Sequence, residues 1–263
     1  MDRPFAVSNI AWPASDLDEA LALLPKLGFT AVEIAPFNVF GTWDGVLDAA
    51  PGLRQRITDH GLHCAALQGI LYNVPGATLF DDPAALHVHL DLVARLAEVL
   101  GAAACVFGAP RQRDPGTLPP AEAHAKAVDV FRAIGPAFAT RGTSLAIEAN
   151  ARRYACRFLV TTEEASAFVA AVDTPGIGLQ IDTGTILLEH EDPAVLGRAA
   201  NAVHAHVSAP DLAPITPGPE HLAMAASLRA SGYAGAISIE MRPTPDWRAD
   251  LAAAASFVRS AYL

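Results

Sequence analysis

Four residues whose side chains can bind a metal or transfer a proton each lie in or at the end of a short apolar run in the second half of the chain. They are Glu148 at the end of SLAIE, Asp182 at the end of GLQID, His206 near the end of VHAHVS, and Glu240 at the end of AISIE. A carboxylate is costly to bury unless it is paired or bound to a cation. Each of these residues alone could be an ion-pair partner. Three carboxylates brought together would repel one another, however, and a divalent cation would let all three stay ionised. The four residue types together therefore predict a metal site.

The donor set restricts which metal we expect. Three carboxylates and one imidazole suit a single Mn²⁺, Mg²⁺ or Co²⁺ ion better than the thiolate-rich sites of structural zinc, although Zn²⁺ is compatible with them. His204 competes with His206 as the nitrogen ligand, because both side chains point to the same side of one strand. We favour His206, which is nearer to the carboxyl end of its strand, and expect His204 to pack in the core beneath it.

The elements that must position these residues are eight repeats of a strand followed by a helix. Short runs rich in Val, Ile, Leu and Ala alternate with longer segments whose apolar residues are three or four apart, which is typical of βα units. We place the strands at 5–10, 30–34, 63–68, 103–108, 143–148, 177–182, 203–208 and 235–240. Capping side chains mark helix starts at Asp82-Pro83, Thr161 and Asp192-Pro193.

Eight parallel strands, each buried on both faces, close most naturally into a barrel. We therefore predict an α/β fold in which residues 1–263 form one (β/α)8 TIM barrel. An open parallel sheet is the alternative, but the chain has no GxGxxG after its first strand and no Walker loop to support a nucleotide-binding version of it. In such a barrel the chemistry lies at the carboxyl ends of the strands, where the four candidate ligands stand.

Composition excludes several classes of partner. The formal net charge is −10, from 18 basic and 28 acidic residues, and no block of Lys or Arg is present, so we expect no nucleic acid partner. No apolar run approaches the roughly 18 residues needed to cross a bilayer, so we expect no membrane association. The three cysteines form neither a disulfide framework nor a CxxC motif, which favours a reducing, cytoplasmic location. The number of subunits is left open, with a homo-oligomer among the alternatives.

The segments AVEIAP, LAIEAN, IGLQIDTG, VHAHVSAPD and AISIEMRP, in this order, resemble the xylose isomerase-like barrels. That superfamily includes ketose 3-epimerases, hydroxypyruvate isomerases, inosose-processing enzymes and endonuclease IV. The resemblance covers the whole chain and is specific for the superfamily, but weak for the substrate. It implies that Glu148, Asp182, His206 and Glu240 bind the metal, and that Glu148 and Glu240 also act as the acid–base pair.

Such a site supports proton abstraction next to a carbonyl, because a cation stabilises the enediolate that forms. If two glutamates act from opposite faces of the substrate, the outcome is epimerisation; if one glutamate acts alone, the outcome is aldose–ketose isomerisation. We therefore expect an isomerase or epimerase of a small sugar, a sugar phosphate or a related polyol. Dehydration by loss of a β-hydroxyl group is the main alternative.

Substrate contacts are expected from the loops that follow the strands. Aromatic rings at the rim can stack on a sugar, with core packing as the alternative, and arginines there can bind a phosphate or carboxylate, with solvent exposure as the alternative. The candidates are Trp12, Glu33, Phe37, Gln68, Tyr72, Arg111, Thr185 and Arg242, with Arg113 and Arg157 as further arginines.

Two departures from the family pattern bear on the substrate. Thr185 stands where epimerases often have a substrate-binding histidine, which weakens a specific 3-epimerase assignment. The extra histidines that endonuclease IV uses to hold three metals are missing from ALQGI, CVFGAP and DTGT, and this makes a DNA repair enzyme a weak alternative. A barrel that only binds its ligand is disfavoured, because all four metal-ligand types are present.

Overall fold

The eight expected strands are all present and form one parallel sheet. The structure is a computed structural model that describes residues 3–198 and 201–263. The strands are β1 (Phe5–Val7), β2 (Ala31–Ile34), β3 (His63–Leu67), β4 (Ala104–Phe107), β5 (Ser144–Glu148), β6 (Ile177–Asp182), β7 (Ala202–Ser208) and β8 (Ala236–Glu240). Strand β1 pairs with β8, and the order then runs from β8 back to β2. A single parallel bridge between Ser8 and Glu33 joins β1 to β2, so that the sheet is a nearly closed (β/α)8 barrel.

Helices follow the strands and surround the barrel. In the described residues they are α1 (Leu17–Leu23), α2 (Pro36–Phe40), α3 (Val46–Asp59), α4 (Pro83–Leu100), α5 (Pro120–Ala139), α6 (Thr162–Val172), α7 (Thr183–Leu188), α8 (Pro219–Ala230) and α9 (Trp247–Tyr262). None of these helices has the length and apolar character needed to cross a membrane.

Local side-chain caps explain several helix starts. The Asp82 carboxylate accepts the backbone N–H of Ala85, and Pro83 occupies the first turn of α4, as expected. Thr161 caps α6 in the same way through the N–H of Glu164. Asp192-Pro193 was expected to begin a full helix, but it begins only a short 3₁₀ helix, Pro193–Arg198. The helix that follows β6 is α7, which starts directly at the strand end.

The alternation of side chains along the strands sorts large residues from small ones. Phe5 and Val7 belong to the large apolar core between strands and helices, whereas Ala6 between them packs with alanines of the neighbouring strands inside the barrel. Above this alanine layer the barrel interior is polar, with Glu33 and His204 fully or almost fully buried. The register pairs Asp182 with His206 and Ser208 with Glu240. The last residues of β6, β7 and β8 therefore reach the same rim of the barrel.

Candidate metal centre and active-site cleft

The structure brings the four predicted ligands together at the carboxyl ends of β5 to β8. Glu148, Asp182 and His206 each offer one ligand atom, and these three atoms lie within 4.8 Å of one another. Nδ1 of His206 lies 3.4 Å from Oε1 of Glu148 and 3.3 Å from Oε2 of Glu240. The imidazole therefore stands between the two glutamates that were expected to carry protons.

The polar atoms of this cluster fit a bound cation. Nδ1 of His206 is buried and has no hydrogen-bond partner among the described residues, although carboxylates surround it. Burial and the nearby charge of Glu148 raise the pKa of Asp182, despite hydrogen bonds to that carboxylate from Ser208 and Thr185. Burial disfavours protonation of His206, but attraction by Glu33 and Glu240 outweighs this effect and raises the pKa of His206 well above its ordinary range. A divalent cation would offset the carboxylate charges and give the free imidazole nitrogen a partner.

Asp182 is held by donors from two elements. It precedes α7, and its Oδ2 accepts hydrogen bonds from the backbone N–H of Thr185 at 2.9 Å and from the Thr185 hydroxyl at 2.8 Å. The hydroxyl of Ser208 on β7 donates to Oδ1. The Thr185 side chain also reaches the carbonyl oxygen of Ala149 and is 1% exposed. Thr185, a predicted substrate-binding residue, therefore orients the Asp182 carboxylate.

Glu148 is held by a short chain of polar residues. Nδ2 of Asn150 donates to Oε2 of Glu148 at 2.8 Å, and Nη2 of Arg113 donates to Oδ1 of Asn150 at 2.9 Å. Nη1 of Arg113 donates to the carbonyl oxygen of Glu148 itself at 2.6 Å. Arg113 is completely buried, so its guanidinium supports the end of β5 and cannot contact a substrate.

Arg157, another candidate for anion binding, is paired with Asp114 at 3.1 Å.

A two-part cleft opens above the cluster. One cavity of about 460 Å³ is lined by Glu148, Asp182, Glu240 and Arg242, among others. A second cavity of about 500 Å³ shares Glu148 and Tyr154 with the first and extends toward the loops after β3 and β4. Cavities of this size accept small organic molecules. The expected substrate-binding residues that line one of the two cavities are Gln68, Tyr72, Arg111 and Arg242.

The other expected substrate-binding residues lie elsewhere. Phe37 is absent from the lining of both cavities and packs edge-on against Tyr72, with 5.3 Å between ring centroids. Trp12 is 2% exposed and packs against Trp247, so that the packing alternative describes it better than sugar stacking. Glu33 is fully buried inside the barrel under His206, because its side chain points inward from the strand. In the structure Trp12 therefore packs in the core, and Glu33 accepts hydrogen bonds inside the barrel.

Sequence reasoning missed several residues that line the first cavity. They include Asn150, Tyr154, Ser208 and Asp211. Asn150 carried a usable signal, since it stands two residues after a strand-end glutamate. Asp211 gave no such signal in the sequence. In the structure its backbone is left-handed, and its carboxylate pairs with Arg153 at 2.7 Å. Arg242 reaches the backbone carbonyl of Asp211, which ties the loops after β7 and β8 together.

Comparison with known proteins agrees with this architecture. The family model described as "Xylose isomerase-like TIM barrel" matches residues 21–261. None of the curated proteins compared with this sequence matches it. Among solved structures, an L-ribulose 3-epimerase is similar with a TM-score of 0.82 and 19% identity, over 100% of this chain and 95% of that one. The D-psicose 3-epimerase of Clostridium cellulolyticum H10, solved with D-tagatose, has a TM-score of 0.82 and 16% identity, over 98% and 99% of the two chains. The 3-keto-D-glucoside 4-epimerase of E. coli has a TM-score of 0.75 and 16% identity, over 98% of this chain and 100% of that one. At these identities the solved structures establish the fold, and the family model shows that this chain belongs to the xylose isomerase-like TIM barrel family.

Proposed function

We propose that this protein is a divalent-metal-dependent isomerase or epimerase of a small sugar, a sugar phosphate or a related polyol. The observation that carries the proposal is the unpartnered Nδ1 of His206, which lies between Glu148 and Glu240 at the floor of an open cleft. The similar structures named as sugar epimerases support the same class of substrate.

The ligands of the metal would be Glu148, Asp182, His206 and Glu240. Mn²⁺, Mg²⁺ and Co²⁺ suit this set of three carboxylates and one imidazole, and Zn²⁺ is compatible with it. When bound, the cation would supply positive charge that offsets the negative charge developing on substrate oxygens. The hydrogen bonds from Ser208 and Thr185 leave Asp182 little freedom to move, which suits a fixed ligand better than a proton carrier.

Proton transfer would be the work of Glu148 and Glu240. They approach the Nδ1 atom of His206 from two different strands, β5 and β8, which are separated by two others around the rim. A substrate above that point would lie between the two carboxylates. One glutamate would take a proton from the carbon next to the carbonyl, and the other would return one to the opposite face. Asn150 would keep Oε2 of Glu148 in place through its amide N–H.

A metal-content and chelation experiment tests the dependence on a cation. We expect the purified protein to hold one divalent ion, to lose activity after exhaustive chelation, and to regain it with Mn²⁺, Co²⁺ or Mg²⁺ more readily than with Ca²⁺. Asp182→Ala and His206→Ala should both lose the ion and stay folded, whereas His204→Ala should keep it. Full activity in a protein shown to be metal-free would contradict the proposal.

The reaction class is tested by a panel of ketoses, aldoses, inososes and their phosphates, followed by NMR in deuterated water. Deuterium that enters a C–H bond would identify an isomerase or epimerase, whereas loss of water would identify the dehydratase alternative. Glu148→Gln and Glu240→Gln should each lower turnover by about 10²–10⁴ with a smaller change in KM, because glutamine cannot accept the proton. Glu191→Gln, which changes a carboxylate bonded to Thr162 outside the cleft, is the control. If both cleft variants exchanged the substrate proton at the parent rate, neither glutamate could be the base.

A further inference from the structure

Glu33 occupies the polar layer of the barrel directly beneath the candidate metal centre. It lies on β2, on the opposite side of the barrel from β6, and is completely buried. Its two carboxylate oxygens lie 2.9 and 3.0 Å from Nε2 of His206. Such a buried carboxylate is costly unless it accepts several hydrogen bonds, so its surroundings indicate what holds it there.

One further donor and a second nearby histidine fix the orientation of Glu33. The hydroxyl of Ser238 on β8 donates to Oε2 at 2.6 Å, and Nε2 of His204 lies 3.4 Å from the same oxygen. Glu33 therefore meets side chains from β7 and β8. A carboxylate that is held by groups from two other strands has little freedom to rotate, and it offers His206 an acceptor at a fixed position.

The two ring nitrogens of His206 consequently face different surroundings. Nε2 points down to Glu33, whereas Nδ1 points up to Glu148 and Glu240. An ionised carboxylate can only accept a hydrogen bond, and of the two ring nitrogens only Nε2 makes one, to Glu33, so the proton of a neutral His206 ring belongs on Nε2. The lone pair of Nδ1 then faces the cleft.

We infer that Glu33 is a positioning residue, which holds His206 in the Nε2–H form and directs Nδ1 at the cation. This inference rests on the proposed metal site. Residues that bind the outer nitrogen of a metal-binding histidine typically change metal affinity by about 10–100-fold when they are replaced. Glu33 would also make Nδ1 a stronger ligand, because a negative partner at Nε2 increases the electron density of the ring.

The first test uses the parent protein, so its result does not depend on whether a variant folds. The protein is labelled with ¹⁵N-histidine, loaded with Zn²⁺, which is diamagnetic, and studied by long-range ¹H–¹⁵N NMR correlations. We expect a ring in which Nε2 carries a proton and Nδ1 is shifted by the metal, and this signal should be absent from His206→Ala. A ring bound to Zn²⁺ through Nε2 would overturn the inference.

The second test compares Zn²⁺ affinity, measured by competition with a chelating dye, in Glu33→Gln and in Glu191→Gln. Glutamine keeps the size of the side chain but has only one acceptor oxygen for the two donors, His206 and Ser238. We expect Glu33→Gln to weaken Zn²⁺ binding by about 10–100-fold and Glu191→Gln to leave it within twofold of the parent. Unfolding curves are recorded for both variants. A Glu33→Gln protein that is less stable but binds Zn²⁺ as the parent does would show a purely structural role and overturn the inference.

The two proposals fail in different ways. If the parent protein binds no Zn²⁺ at His206, the proposed metal-dependent function falls, and the inference about Glu33 falls with it. If the parent binds Zn²⁺ through Nδ1 but Glu33→Gln binds it equally well, only the inference about Glu33 falls.

Discussion

Arg113 provides a sharp test of how the structure supports the candidate active site. Its guanidinium is completely buried and donates to the carbonyl oxygen of Glu148 at 2.6 Å and to Oδ1 of Asn150 at 2.9 Å. A third contact reaches the carbonyl oxygen of Leu159 at 3.3 Å, which also accepts the backbone N–H of Asn150. Arg113→Met would replace the guanidinium side chain with another unbranched but less polar one, and would remove every one of these donors.

The size of the effect follows from the acceptors left behind. The Leu159 carbonyl keeps its second donor, but the Asn150 amide oxygen loses the donor that the structure shows, and the Glu148 carbonyl loses its short charge-assisted bond. A buried acceptor left unpaired costs about 1–3 kcal/mol. Part of this cost is offset, because methionine does not require a charge to be buried. We therefore expect the free energy of unfolding to fall by about 2–4 kcal/mol, which is about 4–16 °C in the unfolding temperature for a protein of this size.

The assay is urea unfolding of the metal-free protein, followed by fluorescence or circular dichroism. The control is Arg111→Met, which makes the same change of side chain two residues away, at a position that is exposed to solvent. We expect Arg111→Met to change the free energy of unfolding by no more than about 0.5 kcal/mol. If Arg113→Met and Arg111→Met unfolded at the same urea concentration, the contacts of Arg113 could not support the end of β5, and this reasoning would be refuted.

Two further predictions concern the metal cluster and the response to acid. A Cβ atom at Gly108 would lie closer to Oε2 of Glu148 than van der Waals contact allows, so Gly108→Ala should weaken metal binding roughly tenfold or more, with the fold retained. Gly52→Ala, on an open face of α3, should leave metal affinity unchanged, and equal metal affinity in both variants would contradict the position of the Glu148 carboxylate. Burial lowers the pKa of His89 below its ordinary value, so the unfolded chain binds a proton more readily than the folded one as the pH falls through about 6.5. His89 should therefore contribute a loss of stability of up to about 1.4 kcal/mol per pH unit below that point, and His89→Gln should make the slope between pH 7 and pH 5 shallower than in the exposed His87→Gln control. Equal slopes in urea unfolding would rule out this role of His89.

Local patterns in the sequence were sufficient to predict the architecture. Apolar runs of four to six residues, separated by segments with helical spacing, predicted eight βα units, because strands buried on both faces require continuous apolar runs. Caps such as Asp82 are local as well, since the side chain bonds to backbone only three residues away. The predicted meeting of Glu148, Asp182, His206 and Glu240 depended on one general property of barrels, namely that the carboxyl ends of all strands share one rim.

Tertiary structure decided which way each side chain points and what it meets. The first strand was expected to reach residue 10 but ends at Val7, because Asn9–Ala11 turn into a 3₁₀ helix that Ser8 caps. Arg113 and Arg111 have the same residue type in the same loop, yet Arg113 is buried against β5 and Arg111 is exposed at the cleft.

Glu33 shows most clearly why sequence alone could not assign these roles. Its partners His206 and Ser238 are 173 and 205 residues away along the chain, and only closure of the barrel brings them into contact. Strand periodicity places Glu33 near a strand end but does not say whether its carboxylate faces the cleft or the barrel interior. The sequence determined which residues gather at the rim. The fold decided which of them face the cleft and which lie beneath it, because that division depends on contacts between strands far apart in the chain.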